Sequence, residues 1–282
     1  MIKLCAFSDE ASNDLLRQIT ALKRNNISYM EIRNVNGKNV KDLTVEEAIV
    51  IKQILDDNNI KVWSVGSPIG KEDIDIDIDE YMKKVCHIFH VAKLLGAGRV
   101  RIFSFFRAYD KQYKVFDFLR RMVQKAKEYD LKLCHENEKD IYGDTLSRNL
   151  QILDNVPGLY YVYDPANFLQ VGQKAEETLA ALAHRADYFH IKDVISDSGQ
   201  LVPAGEGDGC IEELISTIKD DKVLTLEPHL TVFKGYSDID KTEMNTKYTF
   251  HSNDEAFDAA TSALKKLLTR AGYRETKEGY VK

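Results

Sequence analysis

Short runs of β-branched and aromatic residues alternate along the chain with longer segments whose apolar residues recur at helical spacing. This alternation is typical of parallel strands joined by helices. Eight such runs begin near Lys3, Ile27, Lys61, Gly98, Leu131, Tyr160, Asp187 and Val223. Their spacing of roughly thirty residues predicts an α/β protein that folds as a closed (β/α)8 TIM barrel.

The segments between the strands predict helices. The clearest span residues 13–25, 45–58, 74–95, 114–129, 174–184 and 253–271. In the last of these, Asn253 is the expected N-cap and Gly272 the expected C-terminal stop. No linker rich in Pro, Gly or Ser divides the chain, so we expect a single domain over residues 1–282, with a short charged tail from about Arg274.

Composition limits the partners. The chain is 44% apolar and 30% charged, as in ordinary globular proteins, and its net charge of −6 opposes binding to nucleic acid. No apolar run reaches the ~18 to 20 residues of a membrane helix, and acidic residues come too early for a signal peptide. We therefore expect a cytoplasmic protein with neither a nucleic-acid nor a membrane partner. The composition leaves open whether it forms a homo-oligomer.

Polar residues gather where the last four predicted strands end, which is where the active site of such a barrel forms. Glu136, Asp164, His190 and Glu227 each lie on a different one of these strands. If all four point inward, three carboxylates and one imidazole converge and repel one another unless a divalent cation binds. Such a donor set suits Mn²⁺, Mg²⁺ or Co²⁺, and also admits Zn²⁺. Each residue alone is better explained by a local hydrogen bond or salt bridge, but the four together favour a metal site.

Seven segments, in this order, resemble one known family. They are YMEIRNVNGKNV at 29–40, GSPIGK at 66–71, CHENEKDIYGDT at 134–145, YDPANF at 163–168, FHIKD at 189–193, PAGEGDG at 203–209 and LEPH at 226–229. The chain resembles the xylose isomerase-like barrels over nearly its whole length. That family includes sugar and sugar-phosphate isomerases and epimerases, ketose 3-epimerases, inosose dehydratases and metal-dependent AP endonucleases.

The resemblance implies a metal quartet made of Glu136, Asp164, His190 and Glu227. Asn167 stands where ketose epimerases often have a substrate-binding His, so it is a candidate substrate contact. The HIKD segment is closer to the isomerase and inosose dehydratase branches. The AP endonuclease branch needs further metal-binding histidines and a basic surface, whereas this chain has seven His in total and a net charge of −6.

Two further strand ends offer substrate contacts. Glu31 and Arg33 share one strand face, so they either hold a polyol or hold each other, and we favour a substrate contact for Arg33. His229 lies two residues beyond Glu227, and a substrate hydrogen bond and a satisfied surface His fit its position equally well.

Three charged residues complete the predicted substrate contacts. Lys192 follows His190 by two residues and is predicted to reach a substrate oxygen or phosphate, with an ion pair to Asp193 or Glu206 as the alternative. Lys71 and Glu206 lie in glycine-containing segments near strand ends and are also predicted to contact the substrate.

The remaining segments near the strand ends receive structural interpretations. Residues 66–71 fit a tight turn, because they lack the spacing of a nucleotide-binding loop. Residues 205–209 are interpreted as a mobile active-site loop. His135 and Asn137 alternate to the face opposite Glu136, so we expect them to pack behind the site or support it.

The function that best fits these observations is a metal-dependent sugar or sugar-phosphate isomerase or epimerase. In this hypothesis Glu136 and Glu227, on strands across the barrel mouth from each other, move a proton next to a carbonyl through an enediolate. The first alternative is an inosose dehydratase-like lyase that expels water from a keto-polyol, so its product has a different mass. The second is a barrel that binds a polyol without turnover.

Overall fold

The computed structural model describes residues 1–232 and 245–282. Eight parallel strands form one closed sheet. They are β1 (Ile2–Ala6), β2 (Tyr29–Ile32), β3 (Lys61–Gly66), β4 (Arg99–Ile102), β5 (Lys132–Glu136), β6 (Tyr160–Tyr163), β7 (Tyr188–Ile191) and β8 (Lys222–Leu226). The sheet closes because β8 pairs with β1, with Ile2 opposite Lys222 and Ala6 opposite Leu226. The predicted TIM barrel is confirmed.

Helices cover the outside of the barrel. The described ones are α1 (Leu15–Arg24), α2 (Val45–Asp57), α3 (Ile78–Leu94), α4 (Gln112–Glu128), α5 (Leu146–Asn155), α6 (Pro165–Gln170), α7 (Ala175–Leu182), α8 (Ile211–Thr217) and α9 (Asn253–Arg270). None of the helices in the described ranges is long and apolar enough to cross a membrane. The helices α5, α6 and α8 are not among the predicted ones.

Two predicted helix starts are wrong. The third helix begins at Ile78 rather than at residue 74, because the Asp77 side chain accepts the backbone N–H groups of Asp79 and Glu80 and so caps it. The last helix is capped by Ser252, which accepts from the backbone N–H of Glu255, one residue earlier than the expected cap. At its other end the predicted stop is confirmed, since Gly272 has φ +85°.

The strand pattern places a polar layer above an apolar one inside the barrel. One buried cluster contains residues from strands at different positions around the barrel, namely Cys5, Cys134, Val162, Tyr188 and Val223. They must therefore point inward. Because side chains alternate along a strand, the residues that lie two or four positions further along also point inward. This alternation directs the strand-end residues of β5 to β8 towards one another.

The C-terminal segment is tied to the opposite end of the barrel. Arg274–Glu275 pairs antiparallel with Tyr280–Val281, and Tyr280 lies opposite Ile2 at the start of β1. Asn26 and Lys265 both donate to Glu275. The charged tail thus forms a hairpin at the N-terminal end of the barrel, away from the strand ends that carry the candidate site.

His135 packs between the barrel and its helices. Its ring is fully buried and stacks on Tyr161 with ring centroids 6.4 Å apart, and a Cβ added to Gly143 would lie 2.4 Å from it. Neither ring nitrogen has a hydrogen-bond partner in residues 1–232 or 245–282. Burial therefore lowers the pKa of His135 to about 3.

We expect His135→Phe to reduce the acid sensitivity of folding. The unfolded chain protonates this imidazole below pH ~6.5, but the folded protein does not until about pH 3. The free energy of unfolding of the wild type should therefore fall by up to about 1.4 kcal/mol for each pH unit below 6.5 on account of this residue alone. Urea unfolding at pH 7.5 and pH 5.5 measures the loss in each protein.

The matched control is His90→Phe, because His90 is exposed on α3. That variant should keep the full acid sensitivity of the wild type. An equal loss of stability between the two pH values in the wild type and in His135→Phe would show that His135 does not contribute to it.

Candidate metal centre

Four side chains from four neighbouring strands meet at the C-terminal mouth of the barrel. Glu136 ends β5, Asp164 follows β6, His190 lies in β7 and Glu227 follows β8. One nitrogen or oxygen from each lies within 4.8 Å of the others, and all four residues are buried. The structure thus brings together the four residues predicted to bind a metal. We call this set the Glu-Asp-His-Glu cluster.

His190 faces the cluster with one ring nitrogen and Glu31 with the other. Its Nδ1 lies 2.9 Å from Glu136 Oε1 and 3.0 Å from Glu227 Oε2, while its Nε2 lies 3.1 Å from Glu31 Oε2. The hydroxyl of Tyr188 donates to the other oxygen of Glu31 at 2.8 Å. Glu31 is therefore held in place, and a proton on Nε2 leaves the Nδ1 lone pair available to a ligand.

Arg33 holds Glu227 rather than Glu31. Its guanidinium donates to both oxygens of Asp9, at 2.9 and 3.0 Å, and its Nη1 donates to Glu227 Oε1 at 2.9 Å. The residue is 2% exposed and lies over the ring of Phe7. The pair of Glu31 with Arg33, which was the alternative to a substrate contact, does not form, because the two side chains turn to different partners.

Asp164 is fixed from both sides. Its side chain accepts the backbone N–H of Asn167 and caps α6, and Lys192 Nζ lies 3.1 Å from its Oδ2. The Asn137 side chain bonds both backbone groups of Asp164, donating to its C=O at 2.7 Å and accepting its N–H at 3.0 Å. The Asn167 side-chain amide in turn donates to the backbone carbonyl of Asn137 at 2.8 Å. Asn137 therefore has the supporting position that was expected of it.

The glycine-rich segment closes around Asp193. The backbone N–H groups of Gly205, Gly207 and Gly209 all donate to this carboxylate, at 2.8 to 3.1 Å. A Cβ at Gly207 would lie 2.4 Å from Asp193 Oδ1, so only glycine allows this approach. Close packing explains the glycines, and the interpretation of the segment as a mobile loop finds no support in these contacts.

Glu206, a predicted substrate contact, lies away from the cluster. It is exposed, and its Oε2 accepts from the hydroxyl of Tyr248 at 2.5 Å. Lys192, for which an ion pair with Glu206 or Asp193 was the alternative, pairs with Asp164 instead. The reason is local, because Asp193 is already saturated by backbone amides.

His229 is buried next to the cluster and is not a surface histidine. It is 5% exposed, and its Nε2 lies 3.5 Å from Glu227 Oε1 and 3.4 Å from Glu10 Oε1. Its backbone N–H donates to Glu10, and its φ of +48° is unusual for a residue other than glycine. Burial lowers the pKa of His229 to about 4. The neutral ring is therefore placed beside Glu227.

Two residues of the site, Arg101 and Glu138, are not among those predicted from the sequence. Arg101 Nε lies 3.2 Å from Glu136 Oε2, and Glu138 Oε2 lies 3.1 Å from Lys71 Nζ. Burial alone would raise the pKa of Glu138, but the nearby lysines lower it below its usual value. Strand parity was the available signal, since Glu138 lies two residues beyond Glu136 on the same face.

Carboxylates outnumber fixed cations in this network. Seven buried carboxylates belong to it, namely Asp9, Glu10, Glu31, Glu136, Glu138, Asp164 and Glu227. The Lys and Arg side chains that contact them are Arg33, Lys71, Arg101 and Lys192. This excess of negative charge is what a divalent cation would neutralise.

The pKa shifts reflect the same excess. Burial raises the pKa of Asp164 to about 7 although Lys192 opposes the shift, and it raises that of Glu10 to about 8 although Arg33 opposes it. Burial would lower the pKa of His190, but the surrounding glutamates raise it well above its usual value. These shifts favour the protonated forms of Asp164, Glu10 and His190. The donors of the cluster fit a divalent cation.

A cavity of about 1110 Å³ opens beside the ends of β2, β3 and β4. Arg33, Lys71, Arg101 and Phe103 are among the residues that line it. Its volume is sufficient for a small polyol, and Arg33 and Arg101 connect it to the cluster through Glu227 and Glu136.

Comparisons with solved structures show the same fold. The probable 3-DHS dehydratase AsbF of Bacillus anthracis matches with a TM-score of 0.71 and 16% identity, over 94% of this chain and 99% of that one. The IolI protein with a bound zinc atom matches with a TM-score of 0.72 and 16% identity, over 95% and 98%. A D-allulose 3-epimerase of Methylomonas sp. matches with a TM-score of 0.72 and 16% identity, over 94% and 98%.

The comparison of sequences gives the family. None of the curated proteins matches this chain. A family model described as the xylose isomerase-like TIM barrel matches residues 19–271, which is most of the chain. Together with the closed barrel and the residues gathered at its mouth, this match shows that the chain belongs to the family of xylose isomerase-like TIM barrels.

Proposed function

We propose that the protein is a metal-dependent isomerase or epimerase of a small sugar or polyol. The observation that carries the proposal is the convergence of Glu136, Asp164, His190 and Glu227 within 4.8 Å at the mouth of the barrel. The relatives of known structure include a D-allulose 3-epimerase and an L-ribulose 3-epimerase, which supports this reaction class.

In this proposal the Glu-Asp-His-Glu cluster holds one divalent ion, with Mn²⁺, Mg²⁺ or Co²⁺ favoured and Zn²⁺ also compatible. Three carboxylates and one imidazole nitrogen match the preferences of these ions. The zinc atom in the IolI structure supports a metal in a barrel of this fold. When bound, the ion supplies Lewis acidity, which stabilises negative charge that develops on the substrate oxygens.

The two glutamates carry the proton transfer. Glu136 and Glu227 come from strands that are not neighbours in the sheet, so they approach a substrate from different sides. Arg33 fixes Glu227 through Oε1, while Oε2 makes no hydrogen bond in the described ranges and faces His190 Nδ1 at 3.0 Å. One glutamate removes a proton beside the carbonyl and the other returns one.

Several side chains around the cluster are proposed to hold the substrate. Three of them border the cluster directly. Asn167 contacts Glu136, Lys192 contacts Asp164, and His229 contacts Glu227. Arg33 and Lys71 line the adjoining cavity. Their donors suit the hydroxyl and carbonyl oxygens of a polyol.

The alternative is a lyase that eliminates water from a keto-polyol. Lys192 is compatible with it, because a buried ammonium 3.1 Å from Asp164 can donate a hydrogen bond to a hydroxyl as it departs. The fold is also shared with the probable dehydratase AsbF. Mass spectrometry of the product decides between the two reactions, since elimination removes one water and isomerisation preserves mass.

We expect Glu31→Gln to weaken metal binding without unfolding the protein. The carboxylate fixes the proton of His190 on Nε2, and loss of such a partner typically lowers metal affinity by about 10-fold to 100-fold. Titration calorimetry with Mn²⁺ measures the affinity directly. The exposed Glu80→Gln is the matched control and should bind as the wild type does. Unchanged affinity in Glu31→Gln would exclude this role.

We also expect Glu136→Gln and Glu227→Gln to retain part of their metal but to lose turnover. A positioned general base contributes ~10² to 10⁴ in rate, and the amide keeps the size and one coordinating oxygen while removing basicity. Asp164→Asn should instead fail mainly by losing metal. Bound Mn²⁺ is measured by elemental analysis, and turnover is measured on a panel of ketoses. Full rates in metal-loaded Gln variants would exclude both glutamates as bases.

Exchange with solvent provides an independent test of the proton transfer. With a substrate in D₂O, the wild type should place deuterium on the carbon next to the carbonyl, because a carboxylate proton exchanges with water. Proton NMR should show little deuterium with either Gln variant. Turnover by the wild type without any exchange would favour a hydride shift or a shielded proton instead.

A further inference from the structure

Two cationic side chains lie against the ring of Phe103 at the wall of the cavity. Lys71 Nζ and the guanidinium carbon of Arg101 each lie 4.4 Å from its centroid. Phe103 itself is only 2% exposed, so the ring has a fixed position. All three residues line the cavity of about 1110 Å³. Two positive charges are therefore held close together beside an open space.

Arg101 has unused hydrogen-bond capacity there. The residue is 3% exposed, and in the described ranges its guanidinium makes a single hydrogen bond, from Nη1 to the carbonyl of Ser67. Nε lies near Glu136 without the geometry of a hydrogen bond. Nη2 lies beside Gly66 in the cavity lining, where an added Cβ would be 3.2 Å away. A buried guanidinium thus offers donors to whatever enters the cavity.

The charge of the lining agrees with the position of Arg101. Seven Lys and Arg side chains but only two carboxylates line the cavity, in a chain whose net charge is −6. The basic residues are Arg33, Lys38, Lys41, Lys71, Lys83, Lys84 and Arg101, and the acidic ones are Asp42 and Glu72. Within the described ranges, all of these cations except Lys84 also pair with a carboxylate, so the lining offers hydrogen-bond donors to an anion rather than a large net positive charge.

The two cations adjoin the cluster. Arg101 Nε lies 3.2 Å from Glu136 Oε2, and Glu138, the partner of Lys71, follows Glu136 by two residues. One small molecule can therefore place an anionic group on Arg101 and its reacting carbon at the cluster. A planar guanidinium and a neighbouring ammonium match the oxygens of a carboxylate or a phosphate.

We propose that the substrate is an anionic sugar or polyol whose carboxylate or phosphate binds Arg101 and Lys71 over Phe103. This inference rests on the proposed function, because it names the substrate class of the same site. It assigns to Arg101 a role in specificity.

The test compares neutral and anionic ligands of one carbon skeleton. Titration calorimetry measures the binding of D-fructose, D-fructose 6-phosphate and D-fructuronate to the Mn²⁺-loaded protein. One charged hydrogen-bond contact corresponds to about 10-fold or more in affinity, so one of the two anions should bind at least that much tighter than D-fructose. The anion with the higher affinity identifies the bound group as a phosphate or a carboxylate. Equal binding of all three ligands would overturn the proposal.

Variants locate the effect. Arg101→Gln and Lys71→Gln should each remove most of the anionic preference, measured in each protein as the ratio of its affinity for the anion to its affinity for D-fructose, whereas Arg101→Lys should keep part of it. The matched control is Arg270→Gln, which removes one exposed charge outside the cavity lining. If Arg101→Gln fails to fold, Lys71→Gln decides. A preference that survives in a folded variant of each residue would overturn the proposal.

Failure of the proposed anion site can be distinguished from failure of the proposed isomerase function. Metal content and deuterium exchange are measured for the same proteins. A metal-loaded wild type that exchanges protons of neutral ketoses but shows no anionic preference refutes the anion site alone. An anionic preference that depends on Arg101, in a protein without proton exchange on any ligand, supports the anion site and refutes the isomerase.

Discussion

Buried negative charge at the mouth of the barrel determines how the surrounding side chains are arranged. Seven carboxylates are removed from water there, above an apolar layer that offers them no solvation. Leaving one such charge without a partner costs about 3 to 5 kcal/mol. Each carboxylate is therefore held by a cation, a histidine or backbone amides, and the arrangement of these partners determines the geometry of the site.

The side chains that bind these carboxylates differ in how many hydrogen-bonding groups remain for a ligand. Arg33 bonds Asp9 and Glu227, and Glu31 bonds His190 and Tyr188, so these two residues hold others in place, although Arg33 also lines the cavity. By contrast, Arg101 lines the cavity, and its guanidinium makes a single hydrogen bond in the described ranges. Neighbouring side chains thus divide between supporting the cluster and meeting a ligand, and the hydrogen-bond geometry separates the two groups.

Much of this arrangement could be predicted from the sequence, because it follows from periodicity. Alternation along the strands fixes direction, so the inward position of Glu136, Asp164, His190 and Glu227 could be predicted once eight strands were recognised. Partners could not be predicted in the same way. The pairing of Arg33 with Asp9 and Glu227 joins residues remote in sequence, and it depends on barrel closure between β1 and β8.

The errors have a similar origin. Glycines at 205, 207 and 209 are compatible with a mobile loop, and only the position of Asp193 shows that they allow close approach to a carboxylate. Glu206 lies in the same segment but on its exposed side, which a residue-by-residue pattern does not distinguish. Local composition thus indicates where a turn is required but not what the turn encloses.

We propose that the excess of carboxylates holds one divalent ion. Anomalous diffraction from a crystal soaked in Mn²⁺ can test this, because the signal locates the ion without assumptions about the ligands. We expect one strong peak about 2.0 to 2.6 Å from donor atoms of Glu136, Asp164, His190 and Glu227. A peak elsewhere, or none at saturating Mn²⁺ with the four side chains still paired to one another, would contradict it.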